Sequence, residues 1–158
     1  MKEIKKATVY QTSAGKPYLV EEPGICCDEK YTMSNAEKVY DFVSEARIPN
    51  LCQETVYAIF CDIRSRPLSY TELSKGTVGL ASIPIRELIQ CALLSTAAAC
   101  AVILVHNHPS GNVNPSQQDI ESTKKMKEAL ELVDLHLVDH VIVSPTAYYS
   151  MQEHQIVF

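Results

Sequence analysis

The chain has no Cys-x-x-Cys pair, so no zinc ribbon is written into it. It has no apolar run long enough to span a bilayer. The longest, Ala97 to Val105, falls far short of the roughly 20 residues such a helix needs. Lys2, Lys5 and Lys6 make a basic start, but no apolar segment follows them, so no secretory leader and no membrane partner is expected. An excess of Lys and Arg is also missing. The net charge is −5, which argues against a dedicated nucleic-acid binder, because phosphate contacts need clustered cations. Internal repeats and low-complexity stretches are absent. Six cysteines are present: Cys26, Cys27, Cys52, Cys61, Cys91 and Cys100. Cys61, Cys91 and Cys100 lie in or beside apolar runs and read as small buried hydrophobes. A reducing cytoplasm is the simplest compartment for such a set.

At 158 residues, 46% apolar and 21% charged, the chain has the make-up of an ordinary globular domain with a short appendage. Residues 1–33 stand apart. Thr8–Thr12 and Tyr18–Val20 are strand-like, Gly15-Lys16-Pro17 between them marks a turn, and a small hairpin or arm is expected. Residues 34–158 form the main domain. Ser34, with Glu37 three residues on, reads as the capping box of a helix ending before Pro49. Thr55–Cys61 is a near-continuous apolar, β-branched run, hence a central strand, and Leu68–Ser74 returns beside it. Gly76 and Gly79 mark a bend. Ser82 to Cys100 reads as a helix with Pro84 in its first turn and Ile85, Leu88, Ile89, Ala92 and Leu93 on one face. Cys100–Val105 is a third strand. A second long helix starts near Ser116, with Ile120, Thr123, Met126, Leu130 and Val133 as its inner stripe. Leu137–Val143, Tyr148–Met151 and Ile156–Phe158 complete the strands. The fold class is α/β (α+β), a sheet sandwiched by helices.

The chemistry is concentrated in His106-Asn107-His108-Pro109-Ser110-Gly111, followed by Ser116 and Asp119. His106 and His108 alternate on an extended segment, so both imidazoles point the same way and can reach one metal at about 2.0–2.1 Å. Asn107 then points away. Pro109 and Gly111 turn the chain, and the next helix brings Asp119 back over the histidines as a third ligand. Three protein ligands leave a fourth position open, the arrangement of a catalytic zinc. Ser116 and Asp119 also fit a helix-capping box that needs no metal, and the two roles are compatible. A hydrolase needs a carboxylate to move protons. Glu54, placed at the start of a central strand, is the best candidate; a strand-edge surface charge is the alternative. Asp139 and His140 read first as a hydrogen-bonded strand-end pair, with a supporting role behind the metal as the alternative. His136 and His154 read as surface residues.

The run His-x-His-Pro, six residues, then Ser-x-x-Asp resembles the JAMM motif of the JAB/MPN+ metalloprotease superfamily. His106 to Gly111, Pro115-Ser116, Asp119, Pro84-x-Arg86-Glu87 and Asp139-His140-Val141-Ile142-Val143 resemble the RadC family more closely still, over about residues 34–158. The resemblance implies a cytidine-deaminase-like mixed sheet flanked by helices. It implies zinc held by His106, His108 and Asp119, with Glu54 as acid/base and Ser116 helping to hold an oxyanion. The activity so implied is a zinc-dependent peptidase or isopeptidase acting on a peptide or protein substrate. A DNA-associated module in repair, recombination or mobile-element processes is the alternative. Longer members of the family carry a helix-hairpin-helix region ahead of this domain, and residues 1–33 are too short to hold one. A purely structural metal site is a third reading. Pairing of Leu19-Val20 or of the carboxyl-terminal strand across subunits would make a homo-oligomer.

Overall fold

The computed structural model describes residues 1–76 and 83–158. In chain order the elements are β1 (Lys2–Gln11), β2 (Pro17–Cys27), α1 (Ala36–Glu45), β3 (Thr55–Cys61), β4 (Pro67–Lys75), α2 (Ile85–Ser95), β5 (Ala101–Asn107), α3 (Gln117–Glu131), β6 (His136–Val143) and β7 (Tyr148–Ser150). The strands form one mixed sheet in the order β2-β1-β4-β3-β5-β6-β7. β1 and β4 are parallel, as are β5 and β6, and the other neighbours are antiparallel.

Every residue of β3 is buried, as expected for a central strand covered on both faces. Its alternating side chains feed two cores. Tyr57, Ile59 and Cys61 pack with Val39, Phe42 and Val43 of α1. Val56, Ala58 and Phe60 pack with Leu88 of α2 and with Met126 and Leu130 of α3. Each fully buried large apolar side chain contributes about 1.5–3 kcal/mol by leaving water. Cys61 and Cys91 lie in these cores as expected, and burial pushes the Cys61 thiol up to about 12.

Several expectations shift. The first helix is capped by Asn35, not Ser34: the Asn35 carboxamide oxygen accepts the Lys38 N–H at 2.9 Å. α2 is shorter than the pattern suggested. It ends where Thr96 turns extended, and Ala97–Ala99 form a turn rather than a last helical turn. Pro84 caps α2 from outside. Leu93 is exposed, and Leu88, Cys91 and Ala92 make the inner face. Gly79 and Ser82 lie outside the described residues. On α3, Asp119, Thr123, Met126 and Leu130 face inward, whereas Val133 lies beyond the helix and is exposed. Ile156–Phe158 form no strand; Ile156 N instead closes a turn on Met151 O at 2.8 Å. No helix among the described residues is long and apolar enough to cross a membrane.

Residues 1–27 form the expected hairpin, but with strands much longer than the sequence suggested. The ladder between β1 and β2 slips between Ile4 and Lys6, so Pro23 and Gly24 together stand opposite Lys5. Lys5 and Lys6 then register with Ser69 and Tyr70 of β4. Gly24 is required by this crowding, since a Cβ there would sit 1.9 Å from the Ile4 carbonyl oxygen. We therefore expect Gly24→Ala to destabilise the protein by about 1–3 kcal/mol in urea unfolding. An unchanged midpoint would show that the bulge yields freely.

Candidate metal centre

β5 sets the site. His106 registers with Val56 of β3 and Ile142 of β6 and is fully buried. It shares the face of Val102 and Leu104, the face covered by α2 and α3. The ladder continues one residue past the strand, because His108 N donates to Val143 O at 2.8 Å. That keeps the His108 ring on the His106 side, and the two rings meet edge to face with centroids 4.5 Å apart. Pro109 and Ser110 then turn, closed by Gly111 N on His108 O at 3.0 Å, with Gly111 at φ 87°.

The next helix returns a carboxylate to the same place. Ser116 caps α3 in a reciprocal capping box. Its hydroxyl oxygen accepts Asp119 N at 3.1 Å, and Asp119 Oδ2 accepts Ser116 N at 2.7 Å. The buried Asp119 carboxylate lies between the imidazoles, with Oδ1 3.5 Å from His106 Nδ1 and Oδ2 3.6 Å from His108 Nε2. On the other side, Glu54 Oε1 stands 2.5 Å from His106 Nε2. The donor atoms of Glu54, His106 and His108 all lie within 4.8 Å of one another, a possible metal-binding cluster. Asp119 is outside that tightest trio but touches both of its histidines. Thus all five residues singled out in the sequence, Glu54, His106, His108, Ser116 and Asp119, meet at one end of the sheet.

The electrostatics favour a cation here. Burial alone would raise the Asp119 pKa. The His108 imidazole and the Ser116 backbone and hydroxyl outweigh burial and hold the carboxyl well below the usual carboxylate range. Asp119 also raises the pKa of His108, whereas burial and the neighbouring His108 lower that of His106. His108 Nδ1 lies 2.6 Å from the Asn112 carbonyl oxygen, an acceptor only, so Nδ1 carries the proton and Nε2 presents a lone pair. His106 Nδ1 is buried without a hydrogen-bond partner. Two imidazoles and carboxylates form a donor set suited to zinc, and among the described residues no Lys or Arg pairs with these carboxylates.

Two contributors were not legible as such. Asn107 does point away from the histidines, as alternation requires, but into a task. Its fully buried carboxamide accepts Thr55 N at 2.8 Å and donates to Leu51 O and Gln53 O, both at 3.1 Å. These bonds fasten the segment that carries Glu54. No sequence signal marks them, because partners more than fifty residues apart meet only through the sheet. Asp139 and His140 are not joined side chain to side chain. Asp139 accepts the His140 and Gln152 backbone N–H groups and the Ser150 hydroxyl, while the His140 ring lies beneath α3. His136 and His154 are exposed, as expected.

The model of the RadC-like JAB domain matches residues 33–156. A UPF0758 protein of Pseudomonas entomophila (strain L48) is 44% identical over 110 residues, 70% of this chain and 48% of its own length. A UPF0758 protein of Legionella pneumophila (strain Lens) is 35% identical over 141 residues, 89% of this chain and 61% of its own. One from Marinomonas sp. (strain MWYL1) is 40% identical over 124 residues, 78% of this chain and 54% of its own. The chain therefore spans about half to three-fifths of the length of these relatives.

Replacing Asn107 by Ala strands the buried Thr55 N–H and two carbonyls. We expect a loss of about 2–4 kcal/mol in chemical denaturation. A loss under about 0.5 kcal/mol would mean that solvent satisfies these groups equally well.

Proposed function

The chain belongs to the RadC-like JAB domain family, and from that premise we propose that it is a zinc-dependent hydrolase cleaving an amide bond in a peptide, an isopeptide or a related substrate. The reading is carried by one observation: Glu54, His106 and His108 converge within 4.8 Å, with the Asp119 carboxylate against both imidazoles. His106, His108 and Asp119 would hold the ion, which when bound supplies Lewis acidity to a scissile carbonyl and to water.

The remaining chemistry belongs to the chain. The Glu54 side chain is about one-third exposed, at 35%, so it meets both the buried imidazole and solvent. It takes the proton of the attacking water and delivers it to the departing amide nitrogen. Ser116 is exposed, and its hydroxyl oxygen already accepts the Asp119 N–H. Its own proton lies toward the Asp119 carboxylate and can turn to an oxyanion. Asn107 holds the Glu54 segment in register with His106. A peptide or protein is the substrate class that fits this chemistry.

Elemental analysis should find zinc, and a fluorogenic peptide library should be cleaved only without chelator. In Glu54→Gln the zinc should remain while turnover drops by about 10²–10⁴-fold. Undiminished turnover in the zinc-loaded variant would rule out Glu54 as the proton carrier. Zinc must displace a proton from His108, whose pKa is raised above 6.5. Affinity should therefore fall as pH drops through the raised His108 pKa, by up to about tenfold per pH unit. A flat profile between pH 8 and about pH 6 would exclude His108 as a ligand.

A further inference from the structure

His140 is fully buried on β6, beside Leu104 and on the same sheet face as His106. Its Nδ1 lies 2.6 Å from Thr123 Oγ1, and Thr123 Oγ1 lies 2.6 Å from the Asp119 backbone carbonyl. A carbonyl can only accept, so the Thr123 hydroxyl proton goes to Asp119 O. The Thr123 oxygen must then accept the His140 Nδ1–H. The ring is fully buried and no carboxylate among the described residues hydrogen-bonds to it, so it is neutral and carries that one proton. Its Nε2 is left as a bare lone pair, buried and without a partner.

A second buried ring nitrogen without a partner is His106 Nδ1, and the two ring centroids are 5.9 Å apart. If His106 Nε2, the atom that faces Glu54, is the ligand atom, Nδ1 carries the proton and needs an acceptor. Asp119 Oδ1, 3.5 Å away, makes no hydrogen bond with it. Both nitrogens are buried on neighbouring rings, a setting in which one shared water satisfies two polar groups.

We propose that His140 is a positioning residue of the metal centre, tying the Asp119 turn to β6 through Thr123 and receiving the His106 Nδ1–H at its Nε2 through one buried water. One side chain thereby sets the orientation of two ligands on two different elements. An ordinary core histidine would have both nitrogens satisfied and no relation to the metal. The inference rests on the zinc reading above.

The test uses the full chain with Thr123→Val, His140→Leu and His140→Gln, all checked for folding by near-ultraviolet circular dichroism. Zinc affinity is read by chelator competition, and imidazole protonation by nitrogen-15 NMR of the zinc-loaded protein. Thr123→Val and His140→Leu should weaken zinc by about 10–100-fold. His140→Gln, which keeps a donor for Thr123 and an acceptor for the water, should stay within about threefold of the parent. NMR should find His106 protonated at Nδ1. The proposal is overturned if the folded Thr123→Val and His140→Leu proteins bind zinc within about twofold of the parent, if Gln is as damaging as Leu, or if the His106 proton sits at Nε2. Should His140→Leu fail to fold, the near-isosteric Thr123→Val decides. A parent protein that binds no zinc would sink the hydrolase reading and this inference together. A parent that binds zinc beside variants that bind it equally would sink only the role of His140.

Discussion

Side-chain alternation at the carboxyl end of β5 is the constraint on which the rest depends. Adjacent residues on a strand face opposite sides of the sheet. His106 therefore enters the layer under α2 and α3, and Asn107 the layer under α1. The first supplies an imidazole of the possible metal-binding cluster. The second pins residues 51–55, and with them the carboxylate that faces that imidazole. A one-residue slip of β5 would exchange the two roles and lose both. The ladder on either side, from Val56 on β3 to Ile142 on β6, fixes that register.

This placement puts polar groups where an apolar core would be more stable. His106, Asn107, Asp119, Thr123 and His140 are all buried. Asn107 is satisfied entirely by backbone, Asp119 by its own helix cap, and Thr123 by a carbonyl and a ring nitrogen. The two imidazole nitrogens left over are the remaining cost. A ligand that binds only the folded state would offset such a cost by mass action. The Glu54 carboxylate meets His106 at its other ring nitrogen, Nε2.

What could be read from the sequence was whatever depends on local period and on chemistry-bearing residues. β3 was delimited to the residue by its apolar run, and the Ser116 cap by its spacing to Asp119. The family followed from His106, His108, Ser116 and Asp119, and the matching model covers residues 33–156. The errors fell where local signals compete. Ser34 and Asn35 are both good caps, and the geometry of Asn35 won. The alanine-rich tail of α2 has high helical propensity, but Ala97 and Ala98 are exposed and bury little, and the chain leaves the helix to enter β5. What Asn107 and His140 bond to was hidden for another reason. Their partners are set by sheet order, which no window of sequence contains.

The amino-terminal hairpin shows the same limit from the opposite side. Residues 1–33 stand apart from residues 34–158 in sequence, which suggested a small hairpin or arm lying against the domain. In the folded protein β1 contributes Ile4 to the core under α1 and Ala7 to the core under α2 and α3. β2 adds Ile25 and Cys27 to the first core. The ladder joining β1 to β4 is short, Lys5 with Ser69 and Lys6 with Tyr70, so backbone pairing alone would hold the hairpin weakly. Burial of Ile4, Ala7 and Ile25, at a few kcal/mol in all, holds it more strongly. β4 lies against β3, whose first residue follows Glu54. Through β4 the hairpin stands two strands from β3, its paired residues level with Ile59 and Phe60.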